Sequence, residues 1–166
     1  MNKSELKSIA ENLIDTFNFA GNESIRLFDE GLQIEIKEDQ SPVSNGDLKV
    51  NELISNKISH LTPNIPIISE ETVDLKKKNK SKVFWLIDPI DGTKEYIAGN
   101  DEYTLNAALV INTVPVLGLV GVPKKGRLFY SYSPGESYLI EKNKTEKINC
   151  KKQQPKDQVV ALSSVI

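Results

Sequence analysis

Trp85-Leu86-Ile87-Asp88-Pro89-Ile90-Asp91-Gly92-Thr93-Lys94-Glu95-Tyr96 runs from an apolar segment into two carboxylates three residues apart, followed at once by a glycine and a hydroxyl. Residues 83–87 read as a buried strand. Pro89 holds Asp88 out of the helical region, so the chain leaves the strand extended. Gly92 permits a tight turn and a close backbone approach to a ligand. Thr93 stands where a helix N-cap belongs, with Lys94, Glu95 and Tyr96 as the first turn. Backbone N–H groups at such a start form an anion site. Taken alone, the corner is also ordinary turn chemistry. Carboxylates beside an anion site make chemical sense when divalent cations lie between them, the arrangement of metal-dependent phosphoryl transfer.

Two further acidic clusters lie upstream. Residues 39–47 run Asp-Gln-Ser-Pro-Val-Ser-Asn-Gly-Asp, and Ser69-Glu70-Glu71 closes a short apolar run. Singly, the first reads as a Ser-Pro turn and the second as solvent or helix-start charge. Like charges gathered at strand ends and helix mouths repel one another unless cations bind among them. Hard oxygen donors with no grouped His or Cys suit Mg²⁺ better than zinc. The only histidine, His60, falls late in a helix and reads as a surface residue near its last turn. Aspartyl-phosphatase chemistry needs a nucleophilic carboxylate with an acid–base partner two residues on. The three-residue spacing of Asp88 and Asp91, with Pro89 between, fits shared metal ligation instead.

The 166 residues suffice for one domain with a real core, and 39% hydrophobic with 27% charged residues describes a soluble globular chain. A net charge of −2 offers no basic face for a nucleic acid polymer. One cysteine, Cys150, excludes an internal disulfide framework and suits a reducing cytoplasm. The polar N-terminus lacks the apolar core of a secretory signal. The longest apolar stretch, residues 107–122, is interrupted by Asn112, Thr113 and Pro115, so it predicts two strands and no membrane span.

Leu6, Ile9, Ala10, Leu13, Ile14 and Phe17 recur at helical steps. Gly21-Asn22 is expected to break that helix, with a second piece over residues 24–29. Leu32, Ile34 and Ile36 alternate with polar residues as a half-buried strand, and residues 38–46 read as a polar loop. Asp47 is expected to cap a helix whose buried stripe is Leu48, Val50, Ile54, Ile58 and Leu61. Residues 65–68 form a short strand. The lysine-rich residues 72–82 lack interleaved aromatics and read as a solvated loop rather than a nucleotide patch. Strands follow over residues 105–111, 114–122, 127–131 and 137–140, separated by short turns, and residues 159–162 begin another. Short turns between neighbours predict a mostly antiparallel sheet with helices packed on it, an α+β fold.

The whole constellation resembles the inositol monophosphatase superfamily of metal-dependent, lithium-sensitive phosphatases. Asp88 to Thr93 matches its D-P-x-D-G-T signature. Upstream, in the expected order, stand Asp39 to Asp47 for D-x-S-P-V-[ST]-x-x-D and Ser69-Glu70-Glu71 for a strand ending in E-E. Lys94-Glu95-Tyr96 and the Ser41-Pro42-Val43-Ser44 element look like the bisphosphate nucleotidase branch, which removes the 3′-phosphate of adenosine 3′,5′-bisphosphate, a by-product of sulfate assimilation, to give AMP. An inositol or other sugar phosphate is the alternative substrate. The resemblance implies two or three Mg²⁺ ions. Glu70, Asp88 and the Ile90 carbonyl would hold the one that activates the attacking water. Asp88 and Asp91 would share a second, at the leaving oxygen. Thr93, oriented by Asp47, would draw off the water's proton. The Gly92 and Thr93 N–H groups would hold the phosphate, and Glu71 would orient a ligand or serve a third ion. Ser44 replaces the family's usual Thr with the hydroxyl kept, and Asn45-Gly46 replaces its small residues.

The resemblance covers only the family's N-terminal domain, expected here as residues 1–157, with residues 158–166 beginning the next. Family members continue into an α/β domain whose W-D-x-A motif completes the second metal site; this chain has one tryptophan, Trp85. The expectation is therefore one incomplete metal site, an activity impaired in this chain or a non-catalytic remnant, and a partner in the form of a separately encoded second half or a homodimer. The place implied is the cytoplasm, with peripheral association at the inner membrane a trait the resemblance allows.

Overall fold

The first helix owes its start to a capping box. In this computed structural model, which describes residues 1–72 and 81–149, the Asn2 side chain accepts from the Glu5 N–H while the Glu5 carboxylate accepts from the Asn2 N–H. Helix α1 then runs unbroken over Lys3–Glu30 and ends at Gly31. The expected break at Gly21-Asn22 is absent. Gly21 is buried against Pro123, whose ring would stand 3.3 Å from a Cβ there, so this glycine admits a close neighbour rather than stopping the helix.

The remaining order is β1 (Ile34–Ile36), β2 (Pro42–Ser44), α2 (Asn45–Leu61), β3 (Ile67–Ser69), β4 (Val83–Asp91), α3 (Thr93–Ile97), β5 (Thr104–Ile111), β6 (Val114–Val122), a 3-10 turn (Pro123–Lys125), β7 (Arg127–Ser133), β8 (Glu136–Glu141) and β9 (Lys144–Ile148). Strands β3 to β9 form one sheet in chain order; β3 pairs parallel to β4 and every other pair is antiparallel. Strands β1 and β2 make a separate hairpin. Helices α1 and α2 lie together on one sheet face, α1 over β6 and β7 and α2 over β4. Leu13, Phe17, Ile54, Ile58, Trp85, Ile87, Leu105, Leu109, Leu117 and Leu119 fill the layer between. This is the α+β architecture anticipated.

Several local expectations are corrected. Strand β1 is exposed throughout, not half-buried, with Ile34 and Ile36 in solvent. The segment 38–46 is not all loop, because it contains β2 and the start of α2. Leu48 faces solvent rather than joining the α2 stripe. Strand β9 went unforeseen: its polar Lys-Thr-Glu-Lys carries no apolar alternation, and it survives as an edge strand that lysines keep from further pairing. The lysine-rich residues 73–80, Cys150, the strand expected at 159–162 and the second-domain segment 158–166 lie outside the described residues. Among those described, no helix is long and apolar enough to cross a membrane.

Candidate active site

The β4 corner is built by a bulge. Asp88 pairs with Asn106, yet the next pair is Asp91 with Thr104, so β4 takes three steps where β5 takes two. Pro89 lies in this interruption, where a residue without an N–H is tolerated in a sheet. A bulge re-aims side chains, and here Asp88 and Asp91 come to line one cleft with Glu70. The strand thus continues past Ile87 through both aspartates. Gly92, at φ 96° and ψ 44°, turns the chain into α3. It occupies the cap position expected of Thr93, and a Cβ there would stand 3.0 Å from the Glu102 carbonyl oxygen.

Thr93 is used otherwise. Its hydroxyl lies 2.9 Å from Asp47 Oδ1 and 3.1 Å from the Ile90 carbonyl oxygen, both acceptors. Asp47 is not the cap of α2; that is Ser44, and Asp47 is the third residue of a capping box. The Asp47 Oδ2 accepts from the Ser44 N–H at 2.8 Å and from its hydroxyl. The carboxylate is therefore fully buried and fixed, with its free oxygen delivered to Thr93 across 46 residues of sequence. Next to it, Gly46 leaves no space: a Cβ would come within 2.4 Å of the Tyr96 hydroxyl. Tyr96 donates to the Ser24 carbonyl at 2.6 Å and packs tilted against Tyr103, ring centroids 4.8 Å apart, so α1, α2 and α3 are locked together behind the dyad of Asp47 and Thr93.

Glu70 and Glu71 follow β3, and the Glu70 N–H continues the sheet by donating to the Ile87 carbonyl at 3.1 Å. Their side chains part: Glu70 is 53% exposed at the cleft, whereas Glu71 is 4% exposed and bound by Lys37. The Lys37 ammonium lies 2.9 and 2.8 Å from the two Glu71 oxygens and 3.9 Å from Glu70. Burial disfavours charge on Lys37, but the Glu71 hydrogen bond and the fields of Glu71, Glu70 and Asp47 outweigh it and raise its pKa. Glu71 is pushed up by burial despite the lysine. Asp39 does not reach the cleft. Its carboxylate accepts from the Ser41 N–H and hydroxyl in its own exposed turn, while Ser41 and Pro42 line the cleft instead.

Asp88 is the strained member. Burial first, then the charges of Glu70 and Asp91, a hydrogen bond with Glu70 and the charge of Glu71 push its carboxyl up to about 7. Its Oδ1 is buried without any hydrogen-bond partner, alone in this among the described residues. Asp91 is exposed and accepts from the Asn106 amide at 3.4 Å. Among the described residues no three Asp, Glu, His or Cys side chains form a ready-made cage. The donor set nonetheless fits a hard divalent cation: carboxylates of Glu70, Asp88 and Asp91 around a cleft of about 240 Å³, and an orphaned buried oxygen wanting a positive partner. Three larger hollows, of about 610, 410 and 350 Å³, lie elsewhere among the described residues, and none is lined by an acidic side chain. His60 is exposed in the last turn of α2, away from all this.

Sequence reading missed two members of this environment. Lys37 is one of the polar residues that alternate with Leu32, Ile34 and Ile36, and its place two residues before Asp39 is the local signal that it belongs near the site. Asn106 gave no signal, since only the β4–β5 register brings it to Asp91.

The fold and this acidic corner define a class of protein. A family model described as "Inositol monophosphatase family" matches residues 4–166, and the chain belongs to that family. It is 32% identical over 147 residues to the "3'(2'),5'-bisphosphate nucleotidase CysQ" of Escherichia coli O157:H7, a match covering 87% of this chain and 59% of that protein. The structure of CysQ from Bacteroides thetaiotaomicron superposes with a TM-score of 0.69 at 29% identity, covering 89% of this chain and 59% of that one. An IMPase/NADP phosphatase complexed with Mg²⁺ and phosphate shares the fold, with a TM-score of 0.70 at 18% identity over 81% of this chain and 51% of that one. The chain spans about half the length of the relatives it matches.

Proposed function

We propose that this chain forms the metal- and phosphate-binding half of a Mg²⁺-dependent phosphomonoesterase whose substrate is adenosine 3′,5′-bisphosphate. The observation that carries the reading is Asp88: a carboxylate pushed up to about 7, with one oxygen buried and unpartnered, beside Glu70 and Asp91. No folding purpose accounts for such an arrangement, whereas a cation would reverse its cost.

Glu70, Asp88 and the Ile90 carbonyl would hold one Mg²⁺, and Asp88 with Asp91 a second. When bound, such ions lower the pKa of water and offset charge on a leaving oxygen. The chain's own groups do the rest. Thr93 donates its hydroxyl hydrogen bond to Asp47, so its oxygen keeps a lone pair to accept a hydrogen bond from the attacking water and relay that water's proton toward the Asp47 carboxylate. That water's oxygen bonds to phosphorus, the bond from phosphorus to the 3′-oxygen breaks, and the departing oxygen takes up a proton from solvent water. The Gly92 and Thr93 N–H groups orient the phosphate, and the glycine lets it approach closely. The choice of nucleotide over another ester rests on the relatives' names and on their identity to this chain.

Residues 1–157 would constitute this half, and 158–166 the beginning of a second unit. The partner would be a polypeptide corresponding to the remaining length of the relatives, or a second copy of this chain, acting in the cytoplasm.

Phosphate release from adenosine 3′,5′-bisphosphate and from inositol 1-phosphate, measured with Mg²⁺ and again with added Li⁺, tests the proposal. The chain is assayed alone and with the C-terminal part of a relative supplied. Mg²⁺-dependent, Li⁺-inhibited release from the bisphosphate alone is expected, faster when the second part is present. Preference for the inositol ester would transfer the chain to that substrate, and release from neither under any condition would make it a non-catalytic binding remnant.

A further inference from the structure

We infer that Lys37 is a built-in counter-ion of the carboxylate cleft: its ammonium holds Glu71 and Glu70 in place when no metal does so, and it lowers the cleft's affinity for divalent cations. The second half of this statement rests on the metal reading above; the first does not.

The placement is specific. Lys37 opens the turn joining β1 to β2, with its N–H donating to the Ser41 carbonyl at 2.9 Å and its carbonyl accepting from the Gln40 N–H at 3.0 Å. That turn is closed by the backbone, and β1 is exposed along its length, so packing of the hairpin does not require an inward lysine. The side chain nevertheless leaves the solvent, keeping 24% of its exposure, and takes both oxygens of a carboxylate that keeps 4%. An ionised Glu71 so deeply covered would be costly without a partner, and removing one member of such a pair leaves the other uncompensated. The same ammonium stands 3.9 Å from Glu70, and Glu70, Glu71 and Asp91 all act on Asp88. Lys37 is therefore a positive charge set against two of the four carboxylates that share this corner, Glu71 and Glu70. It is also a fixed charge that any cation arriving at Glu70 and Asp88 must approach, at separations where Coulomb terms are substantial.

Thermal unfolding in chelator and Mg²⁺ titration by calorimetry, on Lys37→Met, Lys37→Arg and the Lys37→Met/Glu71→Gln pair, test the two halves. In chelator K37M is expected to melt below wild type, K37R close to it, and the double variant to recover most of the loss. Mg²⁺ is expected to bind K37M several-fold to about ten-fold more tightly than wild type, a gain consistent with losing a nearby like charge. Should K37M not fold, Lys37→Gln, which keeps a donor without the charge, carries the same comparison. Unchanged melting of K37M in chelator overturns the counter-ion, and unchanged or weaker Mg²⁺ binding overturns the brake on affinity. Wild-type protein that binds no Mg²⁺ at millimolar concentration overturns the metal reading itself, while a lowered melting point of K37M in chelator still upholds the counter-ion.

Discussion

Asp88 and Glu136 sit on the same seven-stranded sheet, one on β4 and the other on β8, and they are treated in opposite ways. Glu136 is saturated with donors: the Tyr138 hydroxyl at 2.6 Å, the Lys3 ammonium at 2.9 Å and the Lys147 ammonium at 3.1 Å. Those bonds, in that order of strength, pull its carboxyl down to about 2. Asp88 has a buried oxygen with no donor at all and is pushed up to about 7. The β8 carboxylate ties the N-terminus of α1 to the last hairpin and has a folding purpose. The β4 carboxylate is left in want of positive charge, which costs stability and is the feature on which the proposed metal reading rests. The difference between them separates scaffold from site more clearly than burial does.

The largest effects should fall on turnover and only on the β4 side. In any assay that shows phosphate release, Thr93→Ala is expected to lower kcat/KM by about 10²–10⁴-fold, the range for losing a group that handles the reacting proton, with little change in melting. Asp47→Asn should lose as much turnover and also about 1 kcal/mol of stability, because its carboxylate completes the α2 capping box. Glu136→Gln should leave kcat/KM as it was. Turnover that falls equally in all three variants would erase the distinction between the two regions.

Next in size is a packing effect behind the dyad. Gly46→Ala would drive a methyl into the Tyr96 ring and hydroxyl, three atoms of which lie 2.4–2.9 Å from the ideal Cβ. Both neighbours are held, Tyr96 by Ser24 and Tyr103, and Gly46 by the capping box. Overpacking of this kind costs about 1–3 kcal/mol, measurable by urea unfolding. A neutral result would mean that the wall behind Asp47 and Thr93 yields easily, and that the dyad is less firmly placed than its hydrogen bonds suggest.

How much of this could be read from the chain alone follows from the range of the interactions. The β4 run and the turn at Gly92 are local, and the alternation and short turns along the chain are enough for the fold class; Glu70, Asp88, Asp91 and Thr93 are nominated by the order of three motifs that resemble the family's. The cap assignments failed by one to three residues because Ser44 and Asp47 can each fill the same role, and only the geometry shows which accepts from which N–H. The reason for a glycine at position 21 inside α1 is the close approach of Pro123, about a hundred residues away in sequence. The Lys37–Glu71 pair and the Asn106–Asp91 contact depend on which strands lie side by side. Strand β9 has no pattern of its own and exists because β8 offers an edge.

A smaller effect, with a sign opposite to intuition, belongs to Asp88. A carboxyl whose folded pKa is raised binds its proton more readily folded than unfolded, so the stabilisation is present below the unfolded value of 3.8 and lost as pH rises to about 7. Burial shifts Glu71 in the same direction. In chelator, therefore, stability should decline from about pH 4 to about pH 7, and Asp88→Asn should flatten that decline and raise the melting temperature at neutral pH. The same substitution should remove any rise in melting temperature that Mg²⁺ gives wild type. A lower melting temperature for D88N would show that Asp88 has an unseen favourable partner, and its claim to be a waiting ligand would go.

Glu136→Gln should move stability least and the other way. Its folded pKa is depressed, so the stabilisation is present above the unfolded value of 4.5 and lost as pH falls toward about 2. At neutral pH the substitution should lower the melting temperature slightly, because Lys3 and Lys147 keep 61% and 47% of their side-chain exposure and water already screens them. Salt should shrink the loss further, since the charges are within reach of counter-ions. Salt should do much less to the gain in D88N, whose unpartnered oxygen is buried. A salt titration of the two variants side by side therefore resolves whether one carboxylate is a surface clamp and the other a buried liability. Parallel responses would show that the sheet handles both in the same way.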